Sequence, residues 1–391
     1  MHVLLFALRR LLLFGRLVFV ASVIVYSRSA FPGTLHSTQR RTVHLARTTR
    51  HLVTGIILAA ANRADRVGQN SLAIFDRRSL SVSRSVALPD GYAKNVNRDP
   101  EGHIWVGLAG SDASAEGTVL IFSPTGTLLK ALSVPSNPDA GISFAAGRAF
   151  IACSANGLSG EIVVVDRKMF NVETTLRIAS RDTRVLLLIA SAANDDALIL
   201  AGMTTGPDAD AAYSVLTAVD PQTLRTRFQI QLGRNTDIWR IIPNGETFVL
   251  LNVASNKDPP SESKDIFLLK TNEQSLITLP LAAHSPLWGI ISQNFLYAYH
   301  DGSWNSTTTE PDRSLSRLDL KTGRSSVWPL PNNWNASDIA VRNGNIYLTH
   351  RDHYTGGTGD GLYKFDPASH QPALVVPLPN ASRVIFSDGN D

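Results

Sequence analysis

The chain has 391 residues, 43% of them hydrophobic and 18% charged, with one cysteine and a formal net charge of +4. That is ample apolar material for a large core, and a lone cysteine excludes an intramolecular disulfide. The charge is lopsided: residues 1–66 hold ten Arg and one acidic residue (Asp65), so the remaining 27 basic and 32 acidic residues leave an acidic body, and nothing points to a nucleic-acid-binding domain.

Residues 1–30 read as a signal peptide or N-terminal membrane anchor. Arg9, Arg10 and Arg16 precede the apolar run Leu17–Tyr26, and Ser27-Arg28-Ser29 is a candidate cleavage site. If Leu11–Tyr26 spans a bilayer instead, it is short against the roughly twenty residues that a spanning helix needs. Residues 31–52 read as a basic flexible linker, with membrane association through residues 1–50 as an alternative to a plain tether. The expected location is therefore beyond a membrane: secreted, periplasmic, or anchored and facing away from the cytoplasm.

Residues 53–391 are built from one recurring unit. Strands ending at Asp76, Ser123, Asp166, Asp220, Lys270, Asp319 and Asp366 recur at spacings of 47, 43, 54, 50, 49 and 47 residues. Four of them run into turns of the type Asp-Arg-Arg-Ser, Asp-Pro-Gln-Thr, Asp-Leu-Lys-Thr-Gly or Asp-Pro-Ala-Ser. There an Asp accepts backbone hydrogen bonds, and Pro presets the next φ. Between these units lie further hairpins, at Asp99–Gly102, Ala146–Arg148, Asn194–Asp196, Pro243–Gly245, Gln293-Asn294 and Asn343–Asn345. The strands that follow them (IWVGL, RAFIAC, ALILAG, TFVLLN, FLYAYH, NIYLTH) are continuous apolar runs, as expected of strands buried on both faces.

Four antiparallel strands per repeat, at this period, predict the blade of a β-propeller. The tail SRVIFS supplies one innermost strand, and TGIILA, LAIFD and SRSVAL near residue 54 supply three more. Together they complete a seventh blade and close the ring. The fold expected is all-β: a seven-bladed propeller of four-stranded antiparallel blades. In its Asp-ended strands and its strand-then-Asn/His feature, the segment resembles the YVTN, NHL and gluconolactonase-like propellers. That superfamily includes lactonases, lyases, dehydrogenase subunits and binding modules, so the resemblance implies a fold and leaves the function open.

Long loops gather on one face, where the chain crosses from an outermost strand to the next innermost one. That face is where binding residues are expected. The crossings place Lys94, Asn95, Arg184, Asp237, Trp239, His284, Trp288, Trp334 and Asn335 near the axis, a set suited to a polar ligand or a partner protein. The tryptophans serve equally well as packing between blades. His300, His350, Asp352 and His353 are the residues most like metal ligands, though an irregular loop lacks the fixed geometry of a helical pair.

A lactonase-like site, as the resemblance implies, would hold a divalent metal with Glu, Asn, Asn and Asp at inner-strand starts. Here Asn95, Asp237, Asn335 and Asp338 are present without a Glu, and a lyase-like His and Glu pair lacks its Glu as well. The expectation is a non-catalytic ligand- or protein-binding scaffold with no cofactor. The alternative is a metal-dependent hydrolase or lyase at the channel mouth.

Overall fold

A computed structural model describes residues 54–59, 70–76, 78–89, 91–110, 116–135, 137–154, 160–179, 186–204, 213–232, 236–255, 261–301, 313–331, 334–351 and 359–386. The leader and linker lie outside them. So do Arg184, Asp352, His353 and much of the long-loop set. No helix among the described residues is long and apolar enough to cross a membrane.

Seven four-stranded antiparallel sheets form the ring. From axis to rim, blade 1 is built of Tyr92–Arg98, Ile104–Ala109, Gly117–Phe122 and Leu128–Val134. Blades 2 to 6 repeat this order with innermost strands Asn137–Ala145, Leu186–Ala193, Ile238–Asn244, Pro286–Ser292 and Ala336–Arg342. Blade 7 is composite. Its innermost strand, Ala381–Phe386, pairs with Thr54–Ala59, followed by Ser71–Asp76 and Val82–Ala87. The register Ile56↔Ile385 and Ile57↔Val384 joins the two ends of the chain, as the sequence predicts.

The core is a set of seven apolar clusters, one between each pair of neighbouring blades. Side chains of a strand alternate between its two faces. Thus Ile56, Leu72 and Ile74 pack toward blade 1, whereas Ile57, Ala73 and Phe75 pack toward blade 6. Both faces of the second strands, such as Ile104–Ala109, Arg148–Ser154 and Thr247–Asn252, are largely dry, which explains their apolar sequence. Outermost strands are mostly exposed, as in Val82–Ala87 and Leu128–Val134. Each large side chain so enclosed stabilises the fold by roughly 1.5–3 kcal/mol.

The turns that join the third and fourth strands bear out the Asp reading and add a fifth case. Oδ1 of Asp76, Asp166, Asp220 and Asp319 accepts the N–H groups two and three residues on, and Asp366 accepts that of Ala368. The residue four positions after the Asp is left-handed: Leu80, Phe170, Leu224, Gly323 and His370 have φ between 53° and 71°. For Phe170, which is half-buried, the strain is offset by packing, because its ring meets Trp105 edge-on at 5.8 Å and His103 at 5.2 Å.

Candidate functional site at the channel mouth

All seven innermost strands break register near their beginnings, at the long-loop end of the channel. Single residues are left out of the ladder at Lys94, Ile189, Trp239, Leu287, Ser337 and Ser382, and a longer irregularity spans Asn137 to Gly141. A bulge turns the strand and re-aims the side chains around it. In consequence the bulged and neighbouring positions, Lys94, Asp139, Arg240, Trp288, Asp338 and Arg383, form one constellation drawn from six blades.

Arg383 is its hub. Its Nε donates to the Lys94 carbonyl at 3.3 Å and its Nη1 to the Ser337 carbonyl at 2.7 Å, so one guanidinium bridges blades 1, 7 and 6. Its Cζ lies 3.7 Å from the centre of the Trp288 ring, and Arg240 approaches the same indole at 5.8 Å. Asp338 accepts the Val384 N–H at 3.1 Å. Burial lowers the Arg383 pKa to about 10, with Asp338 opposing and Arg240 adding to the shift. The guanidinium therefore stays charged at neutral pH.

Lys94 and Asp139 are the second focus. Burial pulls Lys94 down from its ordinary value; Asp139 counters this, and the positive charges of Arg383 and Arg351 reinforce it. Asp139 is pushed up by burial, against the pull of Lys94 and of a hydrogen bond from the Ser154 hydroxyl. Both groups are hemmed in by protein without being wholly buried. Arg351, just past the second strand of blade 6, is only 4% exposed, and its field reaches Lys94 from the far side of blade 7.

The residues expected to line the mouth divide into groups. Lys94 and Trp288 belong to the constellation. Asn95 is buried and donates to the Pro138 carbonyl at 2.7 Å, which makes it a clamp between blades 1 and 2. The Asp237 N–H donates to Asn252 Oδ1 at 3.0 Å, and Trp239 is a half-buried bulge residue. The His284 carbonyl lies 2.8 Å from Nδ1 of His300.

Trp334 stacks on His350 at 4.5 Å, with Tyr363 edge-on to Trp334 at 4.7 Å, and His350 Nδ1 lies 3.1 Å from the Asn335 carbonyl. Trp288 and Trp334 also border the apolar cluster between blades 5 and 6, so packing is part of what both do. Nearby, Tyr299 donates to Asp301 at 3.2 Å. Burial raises the pKa of both, and Arg313 lies 3.5 Å from the Asp301 carboxylate.

Of the residues considered as metal ligands, His300 is 1% exposed, with its second nitrogen 2.7 Å from the Ser316 hydroxyl, so protein partners meet both ring nitrogens. His350 is held by Trp334 and Asn335 as described. Among the described residues one carboxylate–histidine group brings its ligand atoms within 4.8 Å: Asp99, Glu101 and His103, at the opposite end of blade 1. There Asp99 already accepts from the His103 backbone and from the Trp105 indole, and Glu101 pairs with Arg167.

Sequence reading passed over Asp139, Ser154 and Arg351 as site residues. Asp139 sits between Pro138 and Ala140, two residues before Gly141, in a stretch that reads as a loop, although it occupies the same inner-strand beginning as Lys94.

No family model and no curated protein matches the chain. Solved structures do match in fold. A putative 6-phosphogluconolactonase from Bacteroides uniformis is 13% identical over 85% of this chain and 99% of its own, with a TM-score of 0.54. The dihydro-heme d1 dehydrogenase NirN, solved in complex with DHE, is 10% identical over 86% of this chain and 75% of its own, with a TM-score of 0.53. AztD from Citrobacter koseri is 13% identical over 86% and 99%, with a TM-score of 0.50. At such identities the likeness is one of fold, a seven-bladed β-propeller, shared by enzymes and by proteins of other kinds.

Proposed function

We propose that the protein is a non-catalytic binding module, exported or tethered by residues 1–50, that seats a small polar ligand at the long-loop mouth of its channel. One observation carries this reading: Lys94, Asp139, Arg240, Trp288, Asp338 and Arg383, from six blades, come together where the innermost strands begin. A rigid ring that presents an aromatic face beside charged groups is the usual form of a ligand site. A partner protein inserting a polar loop would use the same opening.

The test is thermal unfolding of the purified full chain against a panel of sugars, amino acids, dicarboxylic acids and inorganic phosphate. A saturable rise in Tm for at least one class, reduced in Trp288→Ala, supports the reading. No response to any class, or an undiminished response in that variant, overturns it.

A second reading, a hydrolase or lyase, is favoured by one feature: Asp139, raised by burial, stands beside Lys94 and the Ser154 hydroxyl, a set able to carry a proton. Under this reading a divalent metal would activate water at the mouth. Lactone hydrolysis that disappears in Asp139→Asn, with and without added calcium, zinc or manganese, would establish it. Equal rates in the two proteins would remove it.

A further inference from the structure

We propose that the rim of blade 4 joins a second copy of this chain, edge strand to edge strand, with Ile277 of each copy on the two-fold axis. The inference does not depend on what the channel mouth takes.

Each blade ends in a strand with one unpaired edge, and such an edge is a template for another chain unless something blunts it. Five of the seven outermost strands carry a bulge, those of blades 7, 1, 2, 3 and 6. Four of the five also hold a charge, at Arg84, Lys130, Glu173 and Arg227, and the fifth, Gln371–Pro377, has Pro372 inside it. The outermost strands of blades 4 and 5 have neither bulge nor charge. That of blade 5, Ser325–Pro329, is the shorter, which leaves Ser275–Pro280 of blade 4 as the least protected edge. Among the described residues no strand pairs with it.

Side chains beside this edge are also uncovered. The third strands of blades 1, 2 and 3 are almost wholly buried, whereas in blade 4 Phe267 and Leu268 are only half-buried, one on each face. Ile277, which pairs with Leu268, is 39% exposed. An apolar rim next to free backbone groups is the kind of surface that gains by being covered.

The backbone selects the register. The Leu281 N–H donates to the Lys264 carbonyl at 2.7 Å, and the ladder runs on from there without a break. Hydrogen-bonded pairs alternate along an antiparallel ladder, so Leu279, Ile277 and Ser275 bond inward, and the N–H and C=O groups of Leu276 and Thr278 point out of the blade. Setting Leu276 against Thr278 of the second copy satisfies all of these groups. Neighbouring registers fail, because they need Gln274, which is left-handed at φ 51°, or Pro280, which has no N–H.

The selected register puts Ile277 against Ile277 at the closely spaced, non-hydrogen-bonded position, and Ser275 against Leu279. No like charges meet, because the strand has none and Glu273 is paired with Lys270 at 2.9 Å. A strand that is free of charge and centred on one apolar side chain is complementary to itself, and the two-fold contact closes without propagating. An edge this short covers less than the roughly 1,200 Å² of a standard interface, so the dimer should dissociate on dilution.

The experiment is sedimentation velocity of the full-length protein over a wide range of concentration, with Tm as the check on folding. The wild type should pass from monomer to dimer as concentration rises. Thr278→Pro removes an N–H that the monomer does not use, and should stay monomeric with unchanged Tm. Ile277→Lys and Ile277→Glu each bring like charges together on the axis, so each alone should be monomeric, while an equimolar mixture of the two should recover the dimer.

If Thr278→Pro does not fold, the Ile277 pair decides the question alone. A wild type that is monomeric at every concentration would overturn the proposal and leave the edge to a different chain. A dimer that persists in the separate Ile277 variants would place the contact on another surface, and a mixture that stays monomeric would remove Ile277 from the axis; either result overturns the proposal.

Discussion

The guanidinium of Arg383 lies 3.7 Å over the ring of Trp288, two blades away around the ring, while its N–H groups hold the carbonyls of Lys94 and Ser337. The residue that completes the last blade is thereby also the residue that organises the mouth. Ring closure and site assembly thus share one side chain. In a double-mutant cycle, Arg383→Met and Trp288→Leu should couple by about 1 kcal/mol in urea unfolding, the magnitude of a partly desolvated cation–π contact. Strict additivity would mean that the stacking contributes nothing.

Asn95 was expected to meet a ligand, but its amide reaches the Pro138 carbonyl in the neighbouring blade at 2.7 Å. Asn95→Ala should lower stability by about 1–3 kcal/mol, the cost of leaving a buried carbonyl unpaired. The ligand-dependent rise in Tm, rescaled for stability, should not change. A weakened ligand response at unchanged stability would return Asn95 to the ligand site.

Gly55 stands where the chain's two ends pair, opposite both Phe75 and Phe386. A Cβ at this position would run into the Phe75 ring, which is fully buried and meets Phe386 edge-on at 5.7 Å. Gly55→Val should therefore destabilise the protein by roughly 1–3 kcal/mol, as overpacked cores do. A neutral effect would show that the closing strands are not packed in this way.

Much of this architecture is visible in the chain. Asp-ended strands and Asn-Gly turns are local signals, and both ends of the composite blade are apolar segments that lack a partner unless they pair with each other. The site is harder to see because it lies where the strand rule fails. Lys94, Trp239 and Ser337 are extra residues in their ladders, so counting by twos misassigns the direction of every side chain before them. Contacts such as that between Arg383 and Lys94, 289 residues apart, exist only because a ring closes. His300 shows the converse: a histidine beside a loop reads as a ligand, yet its ring is fastened inside the blade.

The turn aspartates set the response to acid. Asp76 and Asp220 are held below the ordinary carboxylate range chiefly by the N–H groups of Ser79 and Thr223, and Asp319 and Asp366 chiefly by the hydroxyls of Thr322 and Ser369. A depressed folded value gives stability that is present above the unfolded value, about 3.9, and is lost as pH falls through the folded one. Asp139 and Asp301, raised by burial, act in the opposite sense: their contribution is full below about pH 3.9 and fades as pH rises through their folded values. Replacing the four turn aspartates by Asn should flatten the decline of Tm below about pH 4. An unchanged decline would place the acid sensitivity elsewhere.

The arginine side chain at the centre of the account can be observed directly by nitrogen-15 NMR of arginine-labelled protein. Arg383 Nε–H, bonded to a carbonyl and lying over an indole, should give a slowly exchanging, ring-current-shifted resonance that moves to an ordinary position in Trp288→Leu. If every arginine Nε–H exchanges as a solvent-exposed group does, or if none responds to the loss of Trp288, the mouth is not assembled as described.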